Sequence, residues 1–295
     1  MIILSFKVPL LSERIRIFDY LRYYLSDVFP SKNSVKKAFK KELILLNGQV
    51  VQSGQWLFKG DYIEVLEQDV GAFKIFPLKL EVVFEDEFMA VIYKPSGFAV
   101  SGNFYKTIQN ALPFNLSRSK EDDALAIPRP LHRLDKLTSG LLLIAKTRRA
   151  QMELGRQFEN QRISKTYKAL VKGNLEFGGR LNTIITHQNA LTIYSPIRSQ
   201  KSLSYDAVTL VQLQPITGRT HQLRIHMASL GHPIVGDVQY DDEKVLKGKG
   251  LFLTACKLSF SHPISHINQS FESSVPAKFD AFLNRELRRW NKFKA

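Results

Sequence analysis

The chain has 295 residues, and 42 Lys and Arg against 27 Asp and Glu give it a formal charge of +15. That balance excludes an acidic scavenger or a disordered acidic tail, and the length suggests two domains, each able to bury a core. The single cysteine, Cys256, rules out an intramolecular disulfide and a cysteine zinc cage, so a reducing cytoplasm is the expected compartment.

Residues 1–9 are apolar but broken by Lys7, with no small-residue cleavage site, and read as mature sequence. Ser12 offers a cap for a helix in which Ile17, Phe18, Leu21, Tyr24 and Leu25 form one apolar stripe. Residues 31–41 predict a second helix, with Val35, Ala38 and Phe39 inside and Lys32, Lys36, Lys37, Lys40 and Lys41 outside. The pair Asn47-Gly48 between residues 43–46 and 49–51 predicts a hairpin, and Gly60-Asp61 leads into a strand over 62–66. The period is then lost over 68–79, a stretch holding Gly71 and Pro77 that reads as a linker.

From Leu80 onward the chain predicts many strands: 80–84, 89–93, 141–145, 165–171, 207–213 and 251–260, with a helix over 148–160. Pro276 opens a closing amphipathic helix with Phe279, Phe282, Leu283, Leu287 and Trp290 on one stripe. Residues 105–127 show no readable signature. No apolar run reaches the roughly 18 residues of a membrane span, because Leu141-Leu142-Leu143-Ile144-Ala145 stops at Lys146, so no membrane partner is expected. Both parts carry excess positive charge, +4 over residues 1–79 and +11 beyond, which suits a polyphosphate backbone as partner.

The two helices, Ile44, Leu46-Asn47-Gly48 and Gly60-Asp61-Tyr62-Ile63-Glu64-Val65 resemble the S4 RNA-binding domain over residues 12–67. The resemblance implies that Lys36, Lys37 and Lys40 face structured RNA; a solvated helix face is the alternative for the same lysines.

Cofactor signals are missing: there is no Gly-x-Gly-x-x-Gly after a strand, no phosphate-binding Gly-x-x-x-x-Gly-Lys-Ser/Thr and no Gly-x-Ser-x-Gly. His221, His226 and His232 invite a metal, but a five-residue step splays two of them across a helix, so no metal is expected. Three polar clusters remain. His132-Arg133-Leu134-Asp135-Lys136-Leu137-Thr138-Ser139-Gly140 runs into the apolar strand; Asp135 between two cations suits an ionised carboxylate, and a capped surface loop is the alternative. Thr217-Gly218-Arg219-Thr220-His221-Gln222-Leu223-Arg224 predicts a glycine turn opening a helix that carries two arginines. Along 165–171, Tyr167, Ala169 and Val171 are expected on one face with the lysines on the other, and Tyr167 alone reads as core.

Taken in order with Glu85-Asp86-Glu87, Lys94-Pro95-Ser96-Gly97 and Gly231-His232-Pro233-Ile234 to Gly236-Asp237, these blocks resemble the RluA-type family of RNA pseudouridine synthases over about residues 80–262. One departure is Ala99-Val100-Ser101, where many relatives place a His. The resemblance implies an α+β protein: an S4-like helix-helix-strand domain (1–67, core 12–67), a linker (68–79) and a mixed, largely antiparallel-sheet catalytic domain (80–295). It implies that Asp135 is the catalytic carboxylate, Tyr167 lies against the target uracil, Arg224 pairs with Asp135, and Arg133 enters the stack that the base vacates. His132, Thr138, Arg219, His221 and Lys94 are the further expected RNA contacts. The expected substrate is ribosomal large-subunit RNA or transfer RNA, acted on by a monomer without cofactor or metal. A binding-only protein and an S4-bearing methyltransferase are the other classes; retention of Asp135 disfavours the first and the missing glycine-rich loop the second.

Overall fold

The computed structural model describes residues 2–10, 13–25, 28–29, 31–66, 74–241 and 250–294. The chain divides into two compact units, Met1–Phe73 and Lys74–Ala295.

In the first unit, β1 (Ile2–Lys7) pairs antiparallel with β4 (Tyr62–Leu66), and β4 pairs with β2 (Ile44–Leu46), which turns back into β3 (Gln49–Val50). The strand at the N-terminus was not expected from its sequence, because six mostly apolar residues lack the alternation that marks a half-buried strand. Asn47 and Gly48, at φ 53° and 79°, form the predicted tight turn. Asn47 also accepts the Tyr62 N–H at 2.8 Å and donates to Asp61 at 2.9 Å, tying the hairpin to β4. Helix α1 (Ile17–Tyr24) starts at Arg16 without a side-chain cap, and Ser12 lies outside the described residues. Its buried face holds Ile17, Tyr20 and Leu21, whereas Tyr24 is 65% exposed, so the stripe is rotated from the expected one. Helix α2 (Lys32–Lys40) begins in a reciprocal capping box between Ser31 and Ser34. It buries Val35 and Ala38 and leaves Lys32, Lys36, Lys37 and Lys40 exposed.

The second unit is built on one sheet. Its strands are β5 (Glu81–Glu85), β6 (Met89–Lys94), β7 (Ala124–Pro130), β8 (Ser139–Thr147), β9 (Ser164–Lys172), β10 (Gly179–Ile185), β11 (Gln188–Ser202), β12 (Asp206–Pro215), β13 (Leu253–Ser261) and β14 (Asn268–Glu272). The order is β10-β11-β12-β9-β13-β8-β6-β5, with β14 beside β13 and β7 beside β8; every pairing is antiparallel except β13 with β8. All nine residues of β8 are buried, which is why its middle, Leu141 to Ala145, is a continuous apolar run rather than an alternation. Leu142 and Ile144 enter one core cluster and Leu141, Leu143 and Ala145 another, the latter closed by Ala150 and Leu154 of α4 (Arg148–Glu159).

Helix α3 (Ile108–Asn115) occupies the stretch without signature; Pro113 inside it explains why no helical period was visible. Strands β7, β10, β11 and β14 were missed as well: β7 carries two prolines, and polar residues dominate the other three, which are partly exposed. Helix α5 (Gln222–Ser229) follows the Thr217–Arg219 turn, so Arg219 is not on it and the helix carries Arg224 alone. Helix α6 (Lys278–Lys294) buries Phe279, Phe282 and Leu283 as expected, but Leu287 is 40% exposed and Glu286 is buried in its place. That carboxylate accepts from Ser202 at 2.7 Å and from Arg289 at 3.1 Å, which makes its burial tolerable. Among the described residues no helix is long and apolar enough to cross a membrane.

The parallel contact of β13 with β8 is short: Thr254 opposite Ser139 and Ala255 opposite Gly140. Gly140 sits at φ +122°, and a Cβ there would lie 2.2 Å from the Ala255 carbonyl oxygen. Gly140→Ala is therefore expected to destabilise the second unit by roughly 3 kcal/mol or more, from backbone overlap and a φ unsuited to L side chains. Denaturant unfolding followed by circular dichroism checks this; an unchanged midpoint would mean that the two strands separate without cost.

Candidate active site

The strand junction sets the site. Ala255 pairs with Gly140 on one side and with Tyr167 of β9 on the other, and Tyr167 pairs in turn with Leu213 of β12. The loop over 131–138 ends where β8 begins, so it arrives two strands away from Tyr167.

That loop is held by its backbone. The Thr138 N–H closes a turn on the Asp135 carbonyl at 3.0 Å, the Gly97 N–H reaches the Lys136 carbonyl at 2.8 Å, and the Ser96 hydroxyl donates to Leu137 at 2.7 Å. Lys94, at the end of β6, is fully buried and donates to the carbonyls of Pro95 (3.0 Å), Lys136 (3.3 Å) and Thr138 (2.7 Å). Burial lowers its amine to about 8, against the opposing pull of Asp135's charge. The RNA contact expected of Lys94 is thus corrected: a sealed ammonium reaches no RNA and acts as a clamp on the loop that presents Asp135.

His132 borders the same cleft, but its Nε2 accepts the Leu143 N–H at 3.1 Å and its ring packs on Phe158. Burial, then the charge of Lys165, lowers its pKa to about 3, so it is a neutral acceptor rather than a cationic phosphate contact. Thr138 is buried, with its hydroxyl oxygen unpartnered among the described residues.

The turn before α5 is bracketed by the buried Gln222. Its Oε1 accepts from the Thr217 hydroxyl at 2.8 Å and the Arg219 N–H at 3.0 Å, while its amide donates to Leu191 and Thr192, both at 3.0 Å. His221 then caps the helix with φ 55°, a left-handed conformation uncommon outside glycine and of the kind that collects at functional sites. Its Nδ1 is 3.0 Å from the Tyr240 hydroxyl and its Nε2 is 3.8 Å from Asp135.

Arg224 is buried on α5. Its Nη1 lies 3.8 Å from Asp135, an ion-pair separation without a direct hydrogen bond. The firm partner is Asp237, which accepts from Nε and Nη2 at 2.7 Å each. The expected ion pair with Asp135 is present, and a tighter one is added to it: the guanidinium fork suits two coplanar acceptors, and Asp237 offers both oxygens. Burial disfavours the charged Asp237 carboxylate, but Arg224 and the N–H groups of Gln239 and Tyr240 outweigh it and hold its pKa below the usual carboxylate range. Tyr240 also covers the Arg224 guanidinium, 5.0 Å from ring centroid to Cζ.

Asp135, Arg224, Tyr167, Arg133, Arg219 and His221 line one cleft of about 270 Å³, the low end of small-molecule pockets and room for a nucleoside-sized group. Asp135 is one-fifth exposed, Tyr167 buried and Arg133 exposed. Burial, and after it the charge of Asp135, raises the Tyr167 hydroxyl well above its ordinary value, so it stays a neutral phenol near pH 7. Lys165 lines the cleft too. The expectation that both lysines of β9 oppose Tyr167 holds for Lys168 but not for Lys165, whose two-residue offset puts it on the tyrosine's own face. Parity could have found it, as the quoted Gly236-Asp237 could have suggested Asp237.

The expected histidines disperse. His226 is buried between Thr183 and Thr192, 2.9 Å from each, and His232 donates from Nδ1 to the Lys172 carbonyl at 2.7 Å. Lys36, Lys37 and Lys40 are exposed on α2 of the first unit.

The sequence pattern described as RNA pseudouridylate synthase matches residues 89–229. An uncharacterised RNA pseudouridine synthase of Aquifex aeolicus is 30% identical over 308 residues, covering 94% of this chain and 95% of that one. The ribosomal large subunit pseudouridine synthase D of Zymomonas mobilis is 34% identical over 68% of this chain and 70% of that one, and its Vibrio cholerae counterpart 31% over 83% and 84%. In fold, human RNA Pseudouridylate Synthase Domain Containing 4 superposes with a TM-score of 0.57 at 24% identity, over 70% of this chain and 93% of that one.

Asp237→Asn tests the hierarchy of partners. It leaves Arg224 buried without its charge partner and should cost about 3–5 kcal/mol at neutral pH. Because the folded pKa of Asp237 lies below its ordinary 3.8, its contribution is complete above that value and lost as pH falls through the folded pKa. Denaturant unfolding at pH 7 and near pH 2.5 should show the gap between wild type and variant narrowing in acid; a pH-independent gap would assign the loss to packing.

Proposed function

The chain belongs to the RNA pseudouridylate synthase family, and on that premise we propose that Asp135 is its catalytic carboxylate, Tyr167 the wall for the target uracil and Arg224 the cation that orients Asp135. The enzyme is an isomerase that converts uridine in RNA to pseudouridine. The reaction breaks N1–C1′, forms C5–C1′, removes the C5 proton and returns a proton to N1, so it balances without an oxidant or a second substrate.

One observation carries the assignment: residues scattered between 133 and 224 in sequence line a single cleft of about 270 Å³ with a cationic border. The reacting atoms are buried in stacked RNA, so the uridine turns out of the helix at a cost of about a few kcal/mol. Exposed Arg133 is placed to fill the vacancy, and backbone contacts offset the rest. Addition of Asp135 at C6, attack at C1′ and removal of the C2′ proton all use the ionised carboxylate, which the Arg224 guanidinium favours. The Tyr167 ring can stack on the flipped base, and its neutral hydroxyl can pass the C5 proton onward.

Two relatives are named for the ribosomal large subunit, which supports large-subunit ribosomal RNA as the substrate here, with transfer RNA as the alternative. The first unit serves as an S4-like RNA-binding domain through the exposed lysines of α2; of the expected linker, 68–73 lies outside the described residues and Phe76 and Leu78 pack on the core of the second unit. A cytoplasmic enzyme acting as a monomer belongs to this reading, and Cys256, the chain's single cysteine, is a buried free thiol as suits a reducing compartment.

Asp135→Asn keeps the shape and removes the charge. Pseudouridine, read by mass spectrometry of the RNA, should fall below detection while RNA affinity changes less than about tenfold, because phosphate contacts elsewhere supply most of it; substantial turnover would sink the assignment. Tyr167→Phe keeps the ring and should bind RNA normally yet lose product formation by about 10²-fold or more. Replacing Lys36, Lys37 and Lys40 together by Gln should lower the slope of log affinity against log salt by about 2 to 3. An unchanged slope would mean a merely solvated helix face.

A further inference from the structure

Within the cleft Asp135, Arg224 and His221 answer one another, whereas Arg133, Lys165 and Arg219 meet no carboxylate among the described residues. Asp135 faces Arg224 and His221, and Arg224 is forked onto Asp237. Lys165 is half-buried, and among the described residues no carboxylate or hydrogen-bond acceptor meets its ammonium. Its Nζ lies 5.7 Å from the centroid of the Phe158 ring, and the neighbouring imidazole of His132 is neutral. An ammonium partly removed from water without an anion is unfavourable, so its place here asks for a ligand that completes it.

The turn across from it is open. A Cβ on Gly218 would sit 3.9 Å from Lys165 Nζ, and glycine leaves that approach clear. The next residue, Arg219, uses Nε on the Asn189 carbonyl at 3.1 Å, leaving its terminal nitrogens free of partners among the described residues. Two cations therefore line the cleft that Asp135 shares, and among the described residues neither is paired with a carboxylate.

We propose that Lys165, together with Arg219 at the open Gly218 turn, holds a phosphate flanking the flipped uridine. The inference rests on the RNA reading of the cleft. Uracil is neutral and offers no reason for an unpaired ammonium, whereas each flanking phosphate carries a full negative charge. Position agrees: Lys165 and Tyr167 are two residues apart on β9, about 7 Å along the strand. A base stacked on Tyr167 thus brings its backbone, rather than its ring edge, beside Lys165. Desolvation by the cleft wall lowers the pKa of the Lys165 amine, and an arriving phosphate opposes that effect. Its role is to bind the nucleotide through its backbone, adding affinity for the RNA without touching the reacting atoms.

The test uses the full-length enzyme and a short RNA that the wild type converts, in three forms: unmodified, and with a neutral methylphosphonate 5′ or 3′ of the target uridine. Wild-type turnover of the unmodified RNA reports on the underlying reading by itself. Lys165→Met should raise KM by about tenfold or more, as for a lost charge-assisted contact, and lower the salt slope by about 1, with the saturating single-turnover rate nearly kept. Lys165→Arg should restore most of the loss. One of the two methylphosphonates should weaken the wild type by a similar factor and leave Lys165→Met unaffected, as a shared contact requires. The proposal is overturned if Lys165→Met lowers the saturating rate at unchanged KM and Arg fails to rescue it. It is overturned equally if both methylphosphonates weaken the variant as much as the wild type.

Discussion

Two residue pairs, Thr254 with Ser139 and Ala255 with Gly140, join the two halves of the second unit's sheet, and the active-site geometry depends on them. Because Ala255 also pairs with Tyr167, the register that joins β8 to β13 also fixes the distance between the Asp135 loop and the tyrosine. The contact exists only because position 140 lacks a side chain: any Cβ there would overlap the Ala255 backbone. Backbone register is a stiff way to place a side chain, since a slip of one residue would turn Tyr167 to the other face of the sheet.

Around that frame the charges fall into an order. Asp237 takes both nitrogens of Arg224's fork and three groups thereby become rigid: the guanidinium, the segment of Gln239 and Tyr240, and the start of α5. Asp135 then meets an arginine already held by another carboxylate, at 3.8 Å rather than 2.7 Å. A looser ion pair keeps the carboxylate's oxygens available for chemistry, whereas a bidentate bond would occupy them. Lys94 does comparable work from below. Its three donor bonds end on backbone carbonyls, two of them in the loop, and not on Asp135's side chain, so it holds the loop without pairing with that carboxylate.

Tyr167 shows how burial selects a role. A hydroxyl whose ionisation is suppressed by burial and by Asp135's charge stays a neutral donor near pH 7, which is the state that the proposed relay needs. Lys165, on the same face two residues earlier, lies where the wall gives way to the open turn at Gly218, which suits it to the sugar-phosphate side of a nucleotide rather than to the base.

How much of this could be read from the chain differs by element. The apolar run of β8, the Asn47-Gly48 turn and the aromatic stripe of α6 were legible because each is written in neighbouring residues: an apolar run, a turn pair, a period. The ordered blocks around Asp135, Tyr167 and Arg224 likewise pointed to the reaction. Strands β10, β11 and β14 were not legible, since polar, partly exposed strands carry little apolar alternation, and Pro113 hid α3. The partners of the charges were beyond reach as well. Whether Lys94 meets solvent or three carbonyls, and whether Arg224 forks onto Asp135 or Asp237, depends on groups dozens of residues apart that only the sheet brings together. Local pattern determined the elements and the reacting residue types; tertiary packing decided which charges are buried, because burial and pairing are properties of the space between elements and not of any one of them.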